Sequence, residues 1–157
     1  MKIKSSIDYG MRAVFYLAVK NDICSSREIS EEMNVPRDYL IQLAIKLRNA
    51  GLIVARPGKN GGYVLTRPAS EITLEEVLDA FDTESKQERK RMKKEGEAGD
   101  VANTVRELHD LVNASMGCFM SAISVQDLID AKNAGESSDL VFARALEAEA
   151  KRLRESK

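Results

Sequence analysis

Few side chains in this 157-residue chain are of a type that does covalent or metal chemistry, and they are scattered. Cys24 and Cys118 are the only thiols, far apart and without a CxxC partner, so neither a disulfide framework nor a four-thiolate zinc site can be drawn within one chain. Each reads either as a small buried residue or as a redox-active thiol. The single histidine, His109, lies in a helical stretch with no second imidazole and no nucleophile or orienting acid placed beside it. The sequence offers no catalytic constellation and no metal ligand set, and it calls for no cofactor.

What remains is recognition by charge and hydrogen bonds. The totals are balanced, 24 basic against 25 acidic side chains. Their distribution is not: residues 1–70 hold 11 basic and 6 acidic groups, and residues 71–157 hold 13 and 19. One end of the chain can face an anion, while the whole does not coat nucleic acid or membrane indiscriminately. With 43% hydrophobic and 31% charged residues, the chain suits one globular domain with a modest accessory element. No apolar run approaches the roughly 18 residues that span a bilayer, and the start MKIKSSIDYG lacks the apolar segment of a secretory signal. A cytoplasmic protein without a membrane partner is expected.

The elements that must position the basic groups follow from turn residues and periodicity. All three prolines and four of the nine glycines fall between residues 36 and 68, so turns concentrate there and the rest can be helical. Ser/Thr-x-x-Asp/Glu boxes at Ser5 with Asp8, Ser25 with Glu28, Thr73 with Glu76 and Ser124 with Asp127 mark helix starts. Helices are predicted over about 5–20, 26–33 and 36–50. In the third, Leu40, Leu43, Ala44 and Leu47 follow i, i+3, i+4, i+7 spacing, and Gly51 stops it. Leu52–Arg56 and Tyr63–Arg67 read as strands of a hairpin around the loop Pro57-Gly58-Lys59-Asn60-Gly61-Gly62.

A further helix from Thr73 carries Leu74, Val77, Leu78 and Phe81. Residues 84–100 then hold 11 charged side chains of 17, the composition of a solvated helix extension or a disordered loop. Its basic block, Arg89 to Lys94, reads as a solvated run flanked by glutamates or as a phosphate contact. From Val101 the series Val101, Val105, Leu108, Val112, Ser115 and Phe119 steps by four and three, the period of a helix packed along a partner helix, widened by Leu111, Met116, Met120 and Ile123. So much apolar surface favours a homodimer seam over packing within the chain. A short helix from Ser124 follows. Residues 138–156 are predicted as a charged helix with Leu140, Val141, Leu146 and Leu153 inward.

Three helices followed by a glycine-rich hairpin is the order of a winged helix-turn-helix, whose third helix enters the major groove. The predicted fold is therefore mainly α with a small β-hairpin, and adds a long dimerisation helix. Its parts are a winged helix-turn-helix domain (1–70), a connecting helix (71–83), a charged loop (84–100), dimerisation helices (101–134) and a helical extension (135–157). With the leucines inward, the outer face of helix 3 presents Asp38, Gln42, Ile45 and Asn49, flanked by Arg37, Lys46 and Arg48. Gln42 can bond an adenine edge and Ile45 can touch a thymine methyl, although an ordinary solvated face has similar composition. Arg56, Lys59 and Arg67 surround the hairpin loop, and Lys2, Lys4 and Ser5 lie at the start of helix 1, all suited to phosphate.

The segments Ser5-Ser6-x-Asp8-Tyr9-Gly10-Met11-Arg12-Ala13, Tyr39-Leu40-x-Gln42-Leu43, Leu47-Arg48-Asn49-Ala50-Gly51-Leu52 and Gly61-Gly62-Tyr63-x-Leu65 are specific in combination. Together they resemble the iron-sulfur cluster regulator, nitric-oxide repressor and cysteine-metabolism repressor family of bacterial winged-helix transcription regulators, over about residues 1–131. The resemblance implies a homodimer crossed by a long helix, with helix 3 and the wing on a pseudo-palindromic operator of double-stranded DNA, and a small-molecule or protein effector. Several members sense through an iron-sulfur cluster held by three cysteines in the loop before the dimer helix. Here residues 84–100 contain none. Positions used as ligands in helix 1 by some relatives look like Asp8 and Arg12, and a guanidinium cannot ligate iron. A repressor without a cluster is the expectation. A winged-helix module that docks a partner enzyme is the alternative.

Overall fold

A computed structural model describes residues 5–81 and 100–155. Lys2, Lys4, the basic block 89–94 and all of the charged segment except Asp100 lie outside the described residues, as does the side chain of Leu153. The elements are α1 (Ser5–Lys20), α2 (Ser26–Met33), α3 (Arg37–Asn49), β1 (Ile53–Arg56), β2 (Gly62–Leu65), a 3-10 turn (Ala69–Glu71), α4 (Leu74–Asp79), α5 (Asp100–Ser121), α6 (Val125–Asn133) and α7 (Ser138–Glu155). The protein is mainly α with one small antiparallel hairpin, as the sequence predicts.

Local chemistry sets the ends of these elements. Ser25 caps α2 by accepting from the Glu28 amide at 3.1 Å, and Asn34 closes it in the left-handed region at φ 51°. Gly51, at φ 74°, turns the chain out of α3 so that the Leu52 amide reaches the Leu47 carbonyl at 3.0 Å. Leu52 thus finishes a helix instead of starting a strand, and both strands are shorter than predicted. At the far end Thr66 Oγ1 donates back to the Gly51 carbonyl at 2.6 Å. Arg67, expected to face phosphate, instead donates to the Glu71 carbonyl at 3.0 Å and pairs with Glu76 at 2.5 Å. Desolvation raises the Glu76 pKa, but the Thr73 amide and the Arg67 guanidinium outweigh it and hold this carboxyl below its ordinary value.

One core joins the first three helices to β1, α4 and α6 through Val14, Leu17, Ile29, Leu40, Leu43, Leu47, Ile53, Ile72, Val77 and Ile129. A second, smaller cluster gathers Leu74, Ile123, Ala131, Val141 and Ala145, with Phe119, Met120 and Phe142 against it. Backbone pairing ties the two together: Leu74 N donates to Ile123 O at 2.9 Å, and Val125 N to Ile72 O at 2.8 Å. Between them lie Thr73 and Ser124, each the N-cap of a closed capping box, so the starts of α4 and α6 stand side by side.

This junction decides which apolar residues face inward. Ile123, expected on the long helix's outer stripe, is buried just beyond α5, and Phe119 packs on Phe142 with ring centroids 5.6 Å apart. In α7 it is Val141 and Ala145, four apart, that meet the core, which leaves Leu140 and Leu146 exposed rather than inward. The expectation for those two leucines is corrected. On α5, Val101, Val105, Leu108, Leu111, Val112 and Met116 remain uncovered, with Val101 79%, Leu108 57% and Val112 53% exposed.

Gly10 is buried in α1 where the Phe81 ring from the end of α4 crosses it, and a Cβ there would overlap the ring. Alanine normally gains about 1 kcal/mol over glycine within a helix. Here the overlap is expected to reverse the sign, so that Gly10→Ala destabilises by about 1–3 kcal/mol in urea unfolding. The loss should shrink in a Phe81→Leu background; a Gly10→Ala protein more stable than the parent would show that this contact is not tight.

Candidate nucleic-acid interface

The amphipathic pattern of α3 determines what it shows to solvent. Leu40, Leu43, Ala44 and Leu47 are buried, and Arg37, Asp38, Gln42, Ile45, Lys46, Arg48 and Asn49 are exposed. The helix is thus fixed by its leucines and presents a polar outer face with one β-branched apolar residue, Ile45. Tyr39 stands at the edge of this face, its ring against Tyr9 at 5.8 Å in an edge-on arrangement. That contact ties the start of α3 to α1.

The wing is held by more than its own ladder. Its register pairs Ile53 with Leu65 and Arg56 with Gly62. Cys24, in the turn before α2, adds an isolated bridge to Tyr63: its amide donates to Tyr63 O at 2.9 Å and its carbonyl accepts from Tyr63 N at 2.8 Å. Gly62 is required for this approach, because a Cβ there would overlap the Cys24 carbonyl. Pro57, Gly58, Lys59 and Asn60 project as an exposed loop, with Gly58 at φ 118°.

The predicted residues therefore sort into groups. Arg37 and Arg56 come together at one cleft between the start of α2, the start of α3 and the wing. Asp38, Gln42 and Lys46 share the outer surface of α3, and Lys59 sits on the wing loop. Ser5 is exposed at the start of α1. The sequence reading passed over Arg27, Ser25 and Ser26, which line the same cleft as Arg37 and Arg56. No periodicity points to them, because they join the site only through the pairing of Cys24 with Tyr63.

A family model described as "Rrf2: Iron-dependent Transcriptional regulator" matches residues 3–131, and the chain belongs to this family of transcriptional regulators. Over 86 residues it is 38% identical to the HTH-type transcriptional regulator IscR of Cereibacter sphaeroides, a match covering 52% of this chain and 56% of that protein. The chain thus spans little more than half the length of that relative. Its structure is similar to that of T. potens IscR, with a TM-score of 0.67 and 26% identity over 87% of this chain and 93% of the other. It is also similar to CymR, the global cysteine regulator of B. subtilis, with a TM-score of 0.63 and 26% identity over 82% and 95%. These solved structures match the winged-helix fold described above.

The family description raises the question whether these residues fit iron. Cys24 is only 2% exposed, its thiol donates to the Asp22 carbonyl at 3.6 Å, and burial pushes its pKa up. The Cys118 thiol donates to Glu149 Oε1 at 2.9 Å, a hydrogen bond that also pushes the thiol up. Both environments oppose the thiolate that a metal or an oxidant requires. Arg12 occupies Asp8 through an ion pair at 2.8 Å and donates to the Met33 carbonyl at 3.4 Å. Among the described residues no three His, Cys, Asp or Glu side chains form a group able to hold a metal. The donor set does not fit an iron-sulfur cluster. Protein purified without oxygen is expected to show no cluster absorbance and no stoichiometric iron; about two irons per chain, with colour lost on substituting either cysteine, would contradict this.

Proposed function

We propose that this protein is a sequence-specific DNA-binding transcription regulator acting as a homodimer on a pseudo-palindromic operator. In this reading it is a cytoplasmic repressor that answers a redox or metabolic signal, delivered by a small molecule or a protein, without an iron-sulfur cluster. The observation that carries it is the division of α3 into a buried leucine face and an exposed polar face, beside a wing anchored to the same subdomain. A helix so presented matches the major groove in width, and Gln42 supplies the paired donor and acceptor that adenine requires. Lys59 and Arg56 on the wing suit phosphate and a narrow minor groove. The segment 1–70 would bind DNA, and 101–134 would join the subunits.

The support for a dimer lies in α5. Val101, Val105, Leu108 and Val112 form a stripe with the step of a helix that packs along another, and the described residues leave them exposed. Phe119 would extend the seam from its half-buried place at the end of the stripe. Two winged domains related by this seam would address two half-sites about one helical turn, roughly 34 Å, apart.

Two measurements test this reading. Leu108→Asp combined with Val112→Asp sets carboxylates in the seam and is expected to give monomer in sedimentation, whereas a double variant that stays a tight dimer would sink the α5 assignment. On a selected duplex followed by fluorescence anisotropy, Gln42→Ala should cost about 1–3 kcal/mol and relax one base pair. Lys59→Ala should weaken specific and random duplexes alike and reduce the salt slope by about 0.9 per lost phosphate contact. Equal, sequence-independent losses for the two variants would mean that this face of α3 reads no bases.

A further inference from the structure

Three segments that are remote in sequence converge on one open cleft of about 350 Å³. Arg27 comes from α2, Arg37 from the first residue of α3, and Arg56 from the last residue of β1; Ser25, Ser26 and Gly61 complete the walls. Among the described residues no carboxylate lines the cleft. Arg27 holds Glu31 through its Nε at 2.8 Å, on a pair that is largely exposed. Arg37 spends only its Nε, donating to Ser26 Oγ at 3.3 Å, and Arg56 has no acidic partner among the described residues.

Arg37 and Arg56 have no carboxylate partner among the described residues and Arg27 has only the exposed Glu31, so the cleft keeps a net positive charge at every working pH. The backbone fixes where these exposed side chains start. The two hydrogen bonds between Cys24 and Tyr63 hold the wing against the entry to α2, and the close approach at Gly62 leaves no slack. A bound oxyanion would accept charge-assisted hydrogen bonds here, and the planar fork of arginine matches its oxygens. A lysine ammonium lacks this fork and meets an oxyanion only as a point charge.

We propose that this cleft is a seat for one tetrahedral oxyanion: a phosphodiester of bound DNA, which would link the helix-turn-helix to the wing, or a free phosphate. The DNA source rests on the reading given under Proposed function; the seat itself does not. Where both are present, free phosphate competes with DNA at this point beyond its effect on ionic strength.

The test uses the full-length protein and Arg27→Gln with Arg37→Gln, read by two independent signals. One is anisotropy with selected and random duplexes over a salt series. The other is the melting midpoint in sodium phosphate against sodium chloride at matched ionic strength. The double variant is expected to bind both duplexes roughly tenfold more weakly at low salt. Its salt slope should be smaller in magnitude by about 0.9 per protomer. Phosphate should raise the melting midpoint of the parent and leave that of the variant unmoved. If the double variant melts early in chloride, Arg27→Gln alone serves, since that side chain is exposed and paired only with Glu31. Variant and parent with the same affinities and slopes, and no phosphate-specific stabilisation, would overturn the seat while leaving DNA binding intact. A parent that binds no duplex would refute the DNA reading; phosphate stabilisation confined to the parent would then support the seat as a free-oxyanion site, and its absence would overturn the seat too.

Discussion

The paired backbone of Cys24 and Tyr63 is the constraint on which the proposed recognition surface depends. A two-stranded wing is only marginally stable by itself, and this one gains a third backbone partner from the turn before α2. That pairing fixes the distance between the helix-turn-helix and the wing, and it is possible only because Gly62 has no side chain. Arg27, Arg37 and Arg56 share a cleft as a direct result. The same pairing buries the Cys24 side chain, which explains why this thiol is poorly placed for chemistry even though it lies beside the recognition surface.

A second junction of similar design positions the long helix. The N-caps Thr73 and Ser124 pair across an antiparallel bridge, so two capping boxes and two interstrand-like hydrogen bonds sit within one small region. The end of α5 is anchored there by Ile123, while its stripe from Val101 to Met116 projects without cover from the described residues. Apolar residues at the anchored end therefore contribute to the protomer, and those at the projecting end are available to a partner. Phe119 lies at the transition between the two, half-buried against Phe142.

Much of this was legible in the sequence because it is local. Capping boxes at residues 73 and 124, the heptad-like leucines of α3 and the glycine after it all act through neighbours within a few residues, and the structure shows each of them working. What the sequence concealed depends on contacts between remote segments. Arg67 lies near the wing in sequence but is captured by Glu76 across a turn. Leu140 and Leu146 match a helical stripe as well as Val141 does, yet packing against α5 and α6 decides which side is covered. Arg27 gave no signal at all, because its partners in the cleft are 10 and 29 residues away along the chain. The departure at Asp8 and Arg12 was visible from residue types, and the ion pair between them is its structural consequence.

The central claim, that two copies of this chain read DNA through α3 and the wing, is tested most directly by selecting bound duplexes from a random pool and measuring the stoichiometry of the enriched complex. The enriched sequence should be an inverted repeat with half-sites about one helical turn apart, occupied by two chains. Failure of any sequence to enrich, or an unrepeated site occupied by a single chain, would contradict it.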